Sequence, residues 1–510
     1  MRQWLPLLAI TAAACAPVGP EFVRPDVPLN PAWLEAELDA YKTTPAELTE
    51  WWRVLQDPVL DELIRIAHRD NNNLRIAGLR VVEAQAVLNI AAGNRYPQAQ
   101  FVAGDATAIG ASESSANTAA GDLDFVQYNL GAGVSWELDF WGRFRRGIEA
   151  ADASFLASIA SYEDLLVLLT AQVADVYAVI RATEQQLRLA RRSLEIQRRS
   201  YEIVDLLFRS GESSELDALQ AKTLLLSTEA SIPRLEAELR QARHALAVLL
   251  GTAPADLADL LGGERDVPRA PDSLAVGLPA DLLRQRPDVR AAELFALAQN
   301  ARVGVATADL YPSFSLQGFI GLAAADSTDT TRTGQSGVGE LFRAESLTYS
   351  AGIGFVWPFL NYGRIRNNIR VQDTRLQQAL VAYRETVIQA AREVEDAVTS
   401  FESARAQDAI LAETVRTAER SAELSLLRYQ EGFADYQRVL DAQQALFTQQ
   451  QRYAANLGNV VRGLVAIYRS LGGGWQMPGT RSYVDDESRR EMQQRTDWGD
   501  LLDAAPAANQ

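Results

Sequence analysis

Two nine-residue stretches decide the reading of this chain: Tyr128-Asn-Leu-Gly-Ala-Gly-Val-Ser-Trp136 and Tyr349-Ser-Ala-Gly-Ile-Gly-Phe-Val-Trp357. In the first, extended to Leu138, the even positions are Tyr128, Leu130, Ala132, Val134, Trp136 and Leu138. The odd ones are Asn129, Gly131, Gly133, Ser135 and Glu137. In the second, Tyr349, Ala351, Ile353, Phe355 and Trp357 face one way and Ser350, Gly352 and Gly354 the other, with Val356 breaking the pattern. Period two, with one apolar face and one small or polar face, is what a strand between lipid and a wet lumen needs. The edge of a soluble β-sandwich would alternate too. Tyr and Trp at opposite ends span ~26 Å at ~3.3 Å per residue, near the thickness of a bilayer's hydrocarbon. Tyr128, Trp136, Tyr349 and Trp357 therefore read as membrane-interface aromatics.

The two stretches belong to a longer repetition. Tyr128 and Tyr349, Gly142-Arg143 and Gly363-Arg364, and Gly211 and Gly432 all stand 221 positions apart. Tyr96-Pro97 and Tyr311-Pro312 each open a further alternating run after a helical stretch. The chain reads as two copies of one unit: helix, strand, loop, strand, very long helix, turn, helix. The loops between strands are small and polar, Ala111-Ser-Glu-Ser-Ser115 and Asp326-Ser-Thr-Asp-Thr-Thr331. Two copies supply four strands. Four strands cannot close a useful barrel, and open edges are not tolerated in lipid. The membrane reading thus requires several chains.

The helical stretches carry a second pattern. Between Gly142 and Phe208 there is no Pro, and Gly147 is the sole internal Gly. Leu166, Leu169, Val173, Val176 and Ile180 step by three and four, and Leu187, Leu194 and Tyr201 continue at sevens. The same offset carries the first five onto Val387, Ala390, Val394, Ala397 and Phe401. A sustained heptad predicts coiled-coil packing. A rod of roughly 65 residues extends ~100 Å at ~1.5 Å per residue, a length suited to bridging a compartment.

The totals narrow the function. The chain has 510 residues, 47% hydrophobic and 23% charged, with a net charge of −17. That balance excludes a nucleic-acid partner, which selects basic patches. No run reaches the ~18 consecutive apolar residues of a membrane helix, so any crossing must use a closed β-barrel. One Cys and two His leave no intrachain disulfide and make a metal cage within one chain improbable on ligand count. His68 and His244 read as structural residues. There is no phosphate loop with a Lys and no catalytic constellation, so the chain reads as a non-enzyme with no cofactor.

Arg2 followed by apolar Trp4 to Ala14 is a secretory signal ending in small residues before Cys15, the one cysteine. That arrangement resembles a lipoprotein processing site, with Cys15 lipidated. Ala12 stands where Leu is commonest, and Ala16 follows where Asp would signal inner-membrane retention. Pro17, Pro20, Pro25, Pro28, Pro31 and Pro45 make the next stretch an extended arm. The boundaries are 1–14 signal peptide, 15–58 lipidated arm, 59–270 first repeat, 271–475 second repeat and 476–510 a disordered tail.

At this point the motifs resemble TolC-like outer-membrane efflux proteins, in the OprM/NodT-type lipoprotein branch. The resemblance rests on Val18-Gly-Pro-Glu-Phe-Val-Arg-Pro25, Trp51-Trp52 with Asp57-Pro58-Val59-Leu60, and Leu278-Pro279-Ala280-Asp281-Leu282-Leu283. It rests further on Arg286-Pro287-Asp288-Val289-Arg290 with Ala292-Glu293, and on Leu471-Gly-Gly-Gly-Trp475. It covers residues 15 to 475.

The resemblance implies a mixed α and β fold. Three chains, each giving four strands, form a 12-stranded transmembrane β-barrel continuous with a long α-helical coiled-coil barrel. It implies a homotrimer in the bacterial outer membrane, anchored by lipid and passively conducting drugs, metals or small organic compounds. A periplasmic adaptor (membrane fusion protein) and an inner-membrane pump, of resistance-nodulation-division type, would complete the system. It implies a periplasmic gate at Asp441, where Arg438 stands in place of a second acid. It implies adaptor-facing turns at Arg209, Gly211, Tyr429 and Gly432. Three Met weigh against a dedicated soft-metal route. Two alternatives stay open: a duct of a type I protein secretion system, and a non-conducting lipid-anchored coiled-coil scaffold.

Overall fold

The computed structural model describes residues 17–28, 48–112, 114, 123–254, 257–271, 284–327, 337–476 and 482–502, and the backbone of 41–42 and 274–275. The Cys15 expectation and the motif at 278–283 lie outside the described residues. The chain divides into two compact units. The first holds Met1–Pro25, Glu83–Leu156 and Glu293–Ala382, and the second Asp26–Val82, Ala157–Ala292 and Tyr383–Gln510.

The helices in chain order are α1 Pro58–Asp70, α2 Asn72–Gly93, α3 Arg143–Arg209, α4 Glu215–Leu249, α5 Ala258–Leu261, α6 Pro287–Ala308, α7 Arg364–Gln430, α8 Tyr436–Ser470 and α9 Asp486–Arg495. The strands are β1 Tyr41–Lys42, β2 Ala99–Gly110, β3 Asp124–Leu138, β4 Leu274–Ala275, β5 Ser313–Ser327 and β6 Leu347–Val356. The long helices α3 and α7 have 67 residues each, and the return helices α4 and α8 have 35 each. Both pairs begin and end at the 221-residue offset read from the sequence.

In the first unit β2, β3, β5 and β6 form one antiparallel sheet in that order. Its register puts Val102, Leu130, Val134, Trp136, Phe314, Leu316, Ile320, Tyr349, Ile353 and Phe355 on one face. Many of these are exposed in the isolated chain, Tyr349 and Ile353 by more than three quarters. The opposite face carries Asp105, Thr107, Gln127, Asn129, Ser135, Ser315, Gln317 and Ser350 among glycines. Residues 17–25 are strapped to this unit. Val18 N–H donates to Trp141 O at 3.0 Å, the buried Arg146 donates to Glu21 at 2.7 Å, and Arg24 meets Glu293 at 2.5 Å. Gly19, at φ +104°, comes so close to Gly304 that a Cβ would lie 2.5 Å from its Cα.

The second unit is helical. Of the thirteen heptad residues singled out above, ten are buried, and Val176, Leu194 and Tyr201 are half-buried. Polar side chains enter this seam at heptad spacing: Ser193 donates to Gln450, and Gln443 donates to Ser200 at 2.8 Å. Such buried pairs fix which residues of two helices face each other. The fully buried Arg181 donates to Glu184 at 2.8 Å and to the carbonyls of Leu261 and Gly263 at 2.6 and 2.7 Å. It lies over the ring of Tyr177, whose hydroxyl bonds Asp57, the N-cap of α1.

One expectation is corrected. Residues 482–502, read as disordered, form α9 and a 3₁₀ turn. Val484 and Leu502 pack on Val82, with Tyr483, Met492 and Trp498 around them. Their spacing is too irregular for a periodicity search, and the charged α9 between them hides the anchors. By length and composition, α2 and α3 each contain a stretch apolar enough to cross a membrane, although no run is uninterrupted. The α3 stretch is mostly buried, as a core helix should be.

Candidate functional site: a membrane wall and two helical tips

The wall is built by register. Trp136 and Trp357 stand at equivalent positions, and each indole N–H donates to a carbonyl just past the preceding helix, Arg95 at 3.2 Å and Leu310 at 3.1 Å. The bond fixes the polar edge of each ring at one end of the sheet and leaves its apolar body outward. Trp357 lies one residue beyond β6. Tyr349 is exposed, and Tyr128 is half-buried and paired with Ala106 and Ala324. Trp136 pairs through Leu316 with Ile353, four residues short of Trp357. Equivalent residues thus climb four positions over two strands, as in a strongly sheared sheet.

The tips follow from two glycines. α3 ends at Gly211, φ +81°, where Gly211 N–H donates to Phe208 O at 3.0 Å and Glu212 N–H to Leu207 O at 2.8 Å. α7 ends at Gly432, φ +77°, with Gly432 donating to Tyr429 O at 3.0 Å and Phe433 to Arg428 O at 2.9 Å. Both are Schellman stops, which need a left-handed residue after the last turn. Arg209 is exposed and pairs with Asp205 at 2.8 Å. Tyr429 turns inward, 5.1 Å from Tyr436, onto a cluster of Val204, Ala218, Val439 and Leu440. Burial pushes the Tyr436 hydroxyl up to about 12. Phe433, 79% exposed, is the most exposed large apolar side chain at these tips, ahead of Leu206 and Leu216, and the sequence reading did not single it out.

Asp441 and Arg438 are both exposed on the first turns of α8. They do not pair with each other in the chain: Gln437 Nε2 donates to Asp441 at 2.9 Å, and Arg438 lies 3.9 Å from Asp435. Both line an open groove of about 1240 Å³ between α7 and α8, with Arg416, Arg420, Leu424 and Phe433.

The remaining sequence motifs are junctions. Arg286 holds Asp288 by two bonds, Glu393 at 2.9 Å and Ser470 O at 2.6 Å. Gly473 sits against Trp51, Gly474 N–H donates to Leu48 O at 2.8 Å, and Arg290 lies 5.3 Å from the Trp475 ring. Beside Arg286, burial and the nearby Asp288 push the Asp164 carboxyl up to about 6, with Arg286 opposing. His68 bonds the Thr170 hydroxyl at 2.7 Å. Among the described residues no group of three His, Cys, Asp or Glu is placed to hold a metal.

A chain with a sheet that has one lipid-suited face, and with two hairpins of very long helices, has the parts of a membrane channel subunit rather than of an enzyme. The family model described as "Outer membrane efflux protein" matches residues 63–252 and 278–473. The chain belongs to that family, and it is an outer-membrane efflux channel component. It is 31% identical over 480 residues to the toluene efflux pump outer membrane protein TtgF of Pseudomonas putida, covering 92% of this chain and 96% of that one. It is 30% identical over 488 residues to the probable outer membrane lipoprotein SilC of Salmonella typhimurium, covering 92% and 99%. Its fold is similar to that of the outer-membrane channel OprN, with a TM-score of 0.83 at 32% identity over 90% of this chain and all of the other.

Proposed function

We propose that three copies join edge to edge, β6 of one beside β2 of the next, to close a 12-stranded barrel that conducts small molecules out of the cell. The carrying observation is the sheet itself: one apolar face, one polar face, and strands β2 and β6 each paired on one side only. In lipid an unpaired strand edge costs several kcal/mol per orphaned group, so closure by further copies is the one stable arrangement. The apolar face then meets lipid and the polar face lines the lumen. Trp136 and Trp357 mark one interface.

The helical tips point to a periplasmic adaptor as docking partner, with Phe433 and the exposed Arg209 at the contact, and through it to an inner-membrane pump of resistance-nodulation-division type. Gly211 and Gly432 shape the two turns. Tyr429 supports the tip from within. Asp441, repeated three times around the narrow end, makes an acidic ring that resists closure unless cations or the neighbour's Arg438 compensate it. Acylation of Cys15 would anchor the arm, in keeping with the lipoprotein name of SilC. The cargo class is small and organic, in keeping with the name of TtgF.

The test is conductance of purified protein in planar bilayers, combined with paired cysteines on β2 and β6 in a Cys15→Ser background. Covalent trimers and steady ion current are expected. Monomers without current would refute the barrel. Asp441→Ala should raise leak conductance without loss of trimers, and unchanged current would remove Asp441 from the gate.

A further inference from the structure

The polar face of the sheet holds a feature that its alternation does not require. One cross-strand row runs Phe101, Gly133, Phe319, Ser350, and the next runs Ala103, Gly131, Gly321, Thr348. Two phenyl rings of one row thus stand on the face that should be small or polar; Phe125 and Ile109 lie farther along it, at the loop end of the strands. Phe101 and Phe319 do not project from it. A Cβ on Gly133 would lie 2.9 Å from two edge atoms of the Phe101 ring, and one on Gly321 would lie 2.9 Å from the Phe319 ring. Phe319 also overlies Gly131. The rings lie flat on the backbone, and the glycines are what lets them do so. Phe101 stays 48% exposed, so a π surface faces outward.

The charges beside these rings have one sign. Across the four strands the charged residues of this face are Asp105 and Glu137. Glu137 is paired with Arg143 at 3.3 Å, which leaves Asp105 as the carboxylate without an ion pair among the described residues. Asp105 is held by the Thr107 hydroxyl at 2.9 Å and the Asn129 amide at 3.2 Å, one row above Gly131 and Gly321. A flat phenyl face with one fixed carboxylate, Asp105, two rows along the same face attracts a planar aromatic cation twice over, by stacking and by charge. It offers a matching anion only stacking, against repulsion. The shallow binding suits a duct, in which a cargo must be released as readily as it is taken up.

We infer that Phe101 and Phe319, with Asp105, form a transit station in the lumen for planar aromatic cations. The inference rests on the channel reading above, which makes this face the lumen. Three chains would set six rings on the lumen wall, staggered by the shear of the sheet.

The experiment uses full-length trimers and ethidium as probe, with fluorescein as an aromatic anion. Ethidium should bind, by fluorescence titration, and reduce ion current in planar bilayers, while fluorescein does so far less. The double variant F101L/F319L keeps apolar cover over the glycines and should weaken ethidium binding about fivefold or more, the worth of a cation–π contact of ~1 kcal/mol. Asp105→Asn should weaken ethidium and not fluorescein. If the double variant fails to form trimers, F101L and D105N, each taken singly, decide the matter. Equal ethidium affinity in wild type and variants, with current flowing, overturns the station alone. Wild-type trimers that carry no current overturn the channel reading instead. A purely backbone-shielding role for the rings would change trimer stability and leave ethidium affinity where it was.

Discussion

Replacing Arg286 by Ala should be among the most damaging single changes in the chain. The guanidinium is 7% exposed and satisfies Asp288, Glu393 and the Ser470 carbonyl together. Removing one partner of a buried ion pair typically costs about 3–5 kcal/mol, because the other charge is left without compensation. Asp288 and Glu393 keep roughly a third of their side-chain surface in water, which places the loss at the lower end, about 3 kcal/mol. The pH dependence identifies the cause. Without Arg286, the Asp164 carboxyl faces Asp288 and Glu393 around a small cavity that Arg469 also lines. Asp164, already raised to about 6, then takes up a proton more readily and relieves repulsion, so the loss should shrink as pH falls from 7.5 to 5. Arg286→Lys keeps the charge and loses the fork, and should fall between the two. The assay is denaturant unfolding followed by far-UV circular dichroism at both pH values, with Glu393→Gln completing a double-mutant cycle. A loss that is absent, or greater at pH 5 than at 7.5, refutes the reasoning.

Asp164→Asn should stabilise the protein at pH 7. The folded carboxyl, raised to about 6 from 3.8, holds its proton more tightly than the unfolded one. Its contribution therefore falls as pH rises through that window, and the gain from Asn should vanish below pH 4 in a stability–pH profile. Arg75→Ala removes a fork of 2.9 and 2.7 Å onto Asp485 and should loosen residues 482–502 by about 1–3 kcal/mol, read as faster tryptic cleavage at Arg489 and Arg490. Burial raises the Asp485 carboxyl, but the Arg75 guanidinium and Ser488 outweigh it and hold it far below the usual range. The 482–502 segment is thus secured at neutral pH and loosens only under strong acid. Gly211→Val and Gly432→Val each force a β-branched residue to positive φ and should cost about 1–2 kcal/mol, visible as lower unfolding midpoints, and neutrality at either site would contradict the Schellman assignment.

Much of the fold was legible because two periods dominate it. Alternation at Tyr128–Trp136 located β3, the span without Pro from Gly142 to Phe208 located α3 to within a residue at each end, and the heptads placed α7 without fixing its ends. The glycine pair at 211 and 432 marked both turns, since a left-handed stop admits few other residues. What stayed hidden has no period. Phe101 and Phe319 sit on the polar face through register across strands, which no single strand displays. The inward turn of Tyr429 depends on Tyr436 in another helix. Asp441 was found by resemblance: on the helix surface its own neighbourhood does not distinguish it from any solvated acid. The knots at Arg286, Arg146 and Gly474 each tie together residues that lie far apart in sequence, which no local pattern displays.

The sheet with two bare edges also bears on how the molecule is born. A lone chain that entered the bilayer would carry orphaned backbone groups along β2 and β6 into hydrocarbon, so insertion must wait until all the walls meet. Before that moment the chain holds a broad greasy surface and two sticky rims in aqueous surroundings. Its maturation should therefore slow steeply when chains are scarce, and escorts that cover those rims should speed it.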